Sequence, residues 1–235
     1  MISRRLSLPG EHGAYLTIAG AAISAALVAP RPGPALAVMG TIAVAFLARG
    51  PIDRAAARLP LRSWDGPALA LGAAVATACL AWSALPIPTL GFALGMLAAS
   101  WLCRRRRLHR DPRVELVALG GLGASAGLAA FAGGAAPSVA LAVAALLGTH
   151  AATSVLAVRP ALGKRGRLSS RAAGAAAVVV AGVATALLGH PWLALAFAPR
   201  LVQLAAPTRG ARAMTLGLRE TAALAVTSAL LALLV

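Results

Sequence analysis

The sequence predicts an all-α protein: a polytopic transmembrane helix bundle of nine helices, with a cytoplasmic N-terminus and its C-terminus outside. Three observations carry that expectation. Of 235 residues, 60% are hydrophobic and only 12% are charged, with a mean hydropathy of +0.83. That is too little charge to cover a soluble domain of this length. The apolar excess is Ala, Leu and Val, joined by 24 glycines, small residues that let helix backbones approach closely in lipid. Finally, the basic residues collect between apolar runs on alternate connections, while the strand alternation of a membrane barrel is absent.

A spanning helix needs about 20 mostly apolar residues, and nine stretches qualify in order. The first, 14–30, follows "PGEHGAY" and carries no charge, which leaves Glu11 and His12 at its threshold. The second, 34–48, closes on Arg49 and Asp53, and the third and fourth cover 67–85 and 87–102. The fifth, 114–133, opens with Glu115. The sixth, 137–158, contains His150 and Ser154 and ends on Arg159. Span seven is 172–189, and span eight, 191–206, carries Arg200 beside Pro199. The ninth, 215–235, has Arg219 and Glu220 in its first turns. Prolines 30, 34, 51, 67, 86, 137, 160, 191 and 207 fall where helix ends are expected.

Charge sets the orientation. The net charge is +16, from 22 Lys and Arg against six acids. With the N-terminus inside, 20 of those 22 fall on cytoplasmic segments; Arg31 alone lies outside and Arg200 lies within a span. Merging or dropping a central span would place a basic loop on the outer face, against the positive-inside rule. The "SRRLSL" opening has the look of a twin-arginine export signal, but eight further spans make it an ordinary inside anchor. The connections near 49–66, 103–113 and 159–171 are too short to fold alone, so residues 1–235 read as one integral membrane domain. Cys79 and Cys103 fall toward opposite faces and read as small packing residues.

Much chemistry is excluded by motif. "RRRRLHRDPR" at 104–113 lacks the aromatic residues that stack bases, so nucleic acid is not an expected partner and the run reads as an orientation signal. The histidines at 12, 109, 150 and 190 have no zinc spacing, and no haem, nucleotide or nucleophile-elbow motif is present. Six dispersed acids do not build a paired magnesium site.

The informative residues are polar groups within the spans, because such groups are expensive in lipid and have partners. Of Glu11, His12, Arg49, Asp53, Glu115, His150, Ser154, Arg159, Arg200, Arg219 and Glu220, nearly all fall toward the cytoplasmic half of the expected bundle. Arginines grouped around one polar cavity would suit a phosphate or carboxylate, held bidentately. Structural ion pairs and snorkelling side chains account for the same residues without a ligand.

"PGEHGAY" at 9–15 resembles the opening of YwiC-like bacterial membrane proteins, and Arg49-Gly50-Pro51, "ELVALGGLGASAG", "SVLAVRPAL" and "LGLRE" are similar to later segments of that family in order. The resemblance implies a bacterial cytoplasmic-membrane location and brings no settled activity. A more distant likeness is to UbiA-type intramembrane prenyltransferases, which implies nine helices and a site opening to the cytoplasm. Those enzymes hold magnesium and a diphosphate on Asp-rich motifs. Here "RGPIDRAAAR" offers Asp53 alone and the segment 159–171 offers no acid, so an enzyme of that kind would lack its usual motifs. The expected partners are membrane lipids, with an anionic, phosphate-bearing lipid or isoprenoid as ligand. A small-solute or proton-coupled transporter using Glu11, His150 and Glu220, and a non-catalytic membrane subunit, are the alternatives.

Overall fold

A computed structural model describes residues 12–56, 59–106, 108, 111–161, 168–205 and 213–235. Among them the chain is all-helical, with nine α-helices and no strand: α1 (His12–Val28), α2 (Pro32–Ala56), α3 (Asp65–Trp82), α4 (Pro86–Arg105), α5 (Pro112–Ala132), α6 (Pro137–Ala161), α7 (Leu168–Leu187), α8 (Ala198–Ala205) and α9 (Ala213–Leu234). Six stretches, within α2, α3, α4, α5, α6 and α9, are long and apolar enough to cross a bilayer; the apolar parts of α1 and α7 are shorter.

Two differences from the sequence expectation are physical. Pro51 does not end its helix: α2 runs on to Ala56, whereas α6 stops at Ala161, one residue past Pro160. A proline removes one N–H and leaves a single carbonyl four residues back without its donor. Near α2's end, side-chain contacts hold the extra turn: Arg49 pairs with Asp53 one turn on, and Arg54 grips Asp65 at the start of α3 through both carboxylate oxygens. The Arg62 backbone N–H completes the cap on Asp65 at 2.8 Å.

The second difference is in span eight, which is not one α-helix. Pro191–Phe197 is a 3-10 segment, and the α-helix begins only at Ala198, with Pro199 in its first turn. Proline fits there because its missing N–H would have had no intrahelical acceptor.

At the centre α5 packs along α6, and α1 and α2 complete the core. The α5–α6 approach requires glycine. A Cβ on Gly123 would stand 2.3 Å from the Leu147 carbonyl oxygen, and one on Gly127 would stand 2.4 Å from that of Ala140. In a bilayer, where lipid tails are as apolar as leucine, such close van der Waals packing is what favours helix on helix. α3 and α4 flank α2 and have little contact with each other. α7, the 3-10 segment, α8 and α9 cover the other side, with α9 fixed to α1 by a Ser24–Ser228 hydrogen bond of 2.8 Å.

The turns sort to two ends. The Arg31 N–H donates to the Gly133 carbonyl at 2.9 Å, joining the α1–α2 and α5–α6 turns. Gly134 there has φ of +89°, a conformation that suits only glycine without strain. His190 Nε2 lies 3.0 Å from Ser138 Oγ, so the turn after α7 reaches the same end. Arg49, Asp53, Arg54 and Asp65 lie at the opposite end, where Ser100 of α4 donates to Asp53 at 3.1 Å.

The glycine contacts make a direct prediction. Gly123→Ala should lower stability by about 1–3 kcal/mol through overpacking. Gly121→Ala, whose Cβ would meet nothing within 4 Å, should leave it unchanged or slightly raised. Thermal unfolding of both variants in one detergent checks this, and equal effects would contradict the account of α5–α6 packing.

Candidate functional site

Two polar centres and one apolar groove emerge, and they do not merge into the single arginine-lined cavity expected from sequence. The deeper centre is built on Arg200, the largest fully buried side chain among the described residues, at 1% exposure. The start of α8 places it against α6 and α9. Its Nε–H donates to Thr153 Oγ1 at 2.8 Å. Its Nη1 donates to both carboxylate oxygens of Glu220, each at 2.9 Å, and to Gln203 Oε1. Gln203 passes the link on, its amide donating to the Arg219 carbonyl.

His150 stands three residues before Thr153, on the same face of α6, and is 5% exposed. Among the described residues, His150 Nδ1 and Arg200 Nη2 are buried and have no hydrogen-bond partner. Thr153 already donates back to the Thr149 carbonyl at 2.7 Å, so its oxygen is free to act as acceptor for the guanidinium.

The second centre closes α2. Arg49 Nε lies 3.5 Å from Asp53 Oδ2, and its guanidinium carbon sits 5.7 Å from the Phe46 ring centroid. That ring also meets Tyr15 of α1 edge-on, with centroids 5.4 Å apart and planes at 88°. Phe46 therefore takes part in a cation–ring contact and a T-shaped ring pair, both arrangements favoured by the ring quadrupole.

Between α1 and α2 runs an open apolar groove of about 340 Å³. Tyr15, Ile18, Ala19 and Ala22 form one wall, and residues of α2 from Leu36 to Leu47 form the other. Phe46 belongs to that lining, and the same ring carries the Arg49 guanidinium. A separate pocket of about 310 Å³ between α5 and α6, which includes Phe131 and Leu141, is likewise apolar.

The remaining expected residues divide as follows. His12 opens α1 one turn before Tyr15. Glu11 lies outside the described residues, and Arg159 lies within α6 with its side chain outside them. Glu115 sits in the first turn of α5. Ser154 is half-buried and donates to the Ala151 carbonyl at 2.6 Å, a bond within its own helix. Arg219 is exposed and enters the deep centre through its backbone alone. Sequence reasoning did not single out Thr153, Gln203 or Asp65. Helical spacing held the signal for the first two, since each lies three residues from a polar residue already chosen. Among the described residues, no three of His, Cys, Asp and Glu converge as a metal-ion group would.

The deep centre ties α6, α8 and α9 together, which sets an expectation for stability. Removing one partner of a buried ion pair strands the other charge and costs about 3–5 kcal/mol, whereas replacing both by apolar residues is close to neutral. Arg200→Leu and Glu220→Leu should therefore each destabilise the protein by about 3 kcal/mol, toward the low end because the Glu220 side chain is 19% exposed. The double variant should recover most of that loss. Unfolding titrations of the four proteins measure the coupling, and strictly additive losses would contradict it.

No protein-family model, no curated protein and no solved structure matches this chain.

Proposed function

We propose that this chain is a membrane protein that holds an amphiphile with an anionic, phosphate-bearing head. The tail lies in the α1–α2 groove and the head meets Arg49. The observation that carries the reading is the shared Phe46 ring, which lines the apolar groove and stands under a guanidinium. An alkyl or isoprenyl chain gains from the groove by dispersion and shape. A phosphate gains from the arginine by charge-assisted hydrogen bonds. From Leu36 to Leu47 the α2 wall extends about 17 Å along the helix axis, at 1.5 Å per residue. That length suits a single chain lying along the helix.

The proposal includes nine crossings, the N-terminus cytoplasmic, the C-terminus outside, and a bacterial inner membrane. The 20-to-one division of basic residues supports that orientation, as does the sorting of the Arg31 turn and the Arg49–Arg54 cluster to opposite ends. The two YwiC-like segments quoted first, "PGEHGAY" and Arg49-Gly50-Pro51, supply Tyr15 and Arg49, which meet on the same ring. The residues around the groove favour holding a lipid over magnesium-assisted transfer. Asp53 is engaged by Arg49 and Ser100, and Asp65 is engaged by Arg54 and Arg62.

Native mass spectrometry of the purified chain tests the reading. A phosphate-bearing lipid should be retained by the wild type. Arg49→Ala should retain it about tenfold more weakly, the equivalent of one hydrogen bond to a charged group. Ala22→Phe, which fills the groove, should lose it. Equal retention by all three proteins, or no retained lipid, would overturn the proposal.

A further inference from the structure

We infer a second, internal site at the break in the eighth span, where Arg200 Nη2 and His150 Nδ1 take one oxygen of a phosphate or carboxylate. It does not rest on the α1–α2 groove, which α6, α8 and α9 do not line. The backbone is the first observation. A seven-residue 3-10 segment, Pro191–Phe197, gives way to the eight-residue α8 inside an otherwise apolar run. Such a change of winding at membrane depth is tolerated where protein covers it. Here the segment is covered: Leu193, Ala196 and Phe197 are buried, and Thr227 of α9 donates to the Ala196 carbonyl at 3.3 Å.

The second observation is independent of the backbone. Thr153, Gln203 and Glu220 satisfy Nε and Nη1 of Arg200, while Nη2 has no acceptor among the described residues. His150 Nδ1, on the face of α6 that presents Thr153, has none either. Leaving a buried donor unsatisfied is costly, and more so for a charged one. Two such groups, His150 on the face of α6 whose Thr153 is bonded to the same guanidinium, are unexpected in a purely structural cluster. One oxyanion answers both, because the guanidinium donates through its second nitrogen and the imidazole donates through the Nδ1–H tautomer. Glu220 offsets the Arg200 charge through Nη1 and leaves the other edge of the fork for the guest.

The test uses the full chain in detergent with inorganic phosphate as probe, at constant ionic strength maintained with chloride. The variants leave the Arg200–Glu220 pair intact. His150→Leu removes the imidazole donor, and His150→Asn keeps a donor in its place. Phosphate should raise the Tm of the wild type and of His150→Asn in a saturable way. In His150→Leu the apparent affinity should fall about tenfold. If phosphate has no effect, a phosphate-bearing lipid that native mass spectrometry finds on the wild type and on Arg49→Ala, but not on His150→Leu, identifies a headgroup as the source of the oxygen. Identical phosphate responses in wild type and His150→Leu would overturn the inference. So would the absence of both a phosphate response and a His150-dependent lipid. In either case the two nitrogens are hydrated parts of a helix-tying pair.

Discussion

A guanidinium inside a lipid-facing bundle must be given acceptors by the bundle itself, and Arg200 takes its acceptors from three helices. Thr153 comes from α6, Gln203 from α8 and Glu220 from α9. Much of the outer half of the molecule depends on that arrangement. α8 has only eight residues and follows a 3-10 segment, so its own backbone bonds cannot hold it in place. The buried ion pair fixes where it sits, and Gln203 extends the same link to the first turns of α9. The weak stabilisation expected of buried pairs relative to apolar packing argues that position is what this pair secures.

The inner half is held by a different force. α5 and α6 meet through glycines and alanines, with backbone oxygens where a side chain would otherwise stand. Such packing tolerates no insertion and gives a rigid centre. α1 and α2 lean on that centre but leave an open groove along their outer seam. A rigid core thus stands beside an open apolar seam, and the Phe46 ring that lines the seam also carries the Arg49 guanidinium.

The sequence made the helical class legible because composition and loop charge are global properties that no local packing detail can reverse. The helix end expected at Pro51 was not legible, since a proline is a local veto that side-chain pairs such as Arg49–Asp53 and Arg54–Asp65 offset. The break at Phe197–Ala198 was also hidden, because an apolar run reads alike whether it winds as 3-10 or α-helix. Among site residues, Arg200, Glu220 and His150 stood out as polar groups in apolar surroundings, and the structure brings them together. Their meeting with Arg49 in one cavity was inferred from a shared depth in the membrane. Depth says nothing of position around the bundle, and the structure places Arg49 on the α1–α2 side. Of the "PGEHGAY" segment, Tyr15 lines the groove and His12 begins the helix one turn before it.

The most direct measurement is photo-crosslinking in bilayers, with a single-chain, phosphate-headed lipid bearing a photoreactive group in its tail, followed by peptide mapping of the adducts. The account predicts adducts concentrated on the residues of α1 and α2 that line the groove, from Tyr15 to Ala22 and from Leu36 to Leu47. It also predicts that excess unlabelled lipid of the same head competes them away. Adducts spread evenly over the exposed faces of α3, α4 and α7, and insensitive to competition, would contradict it.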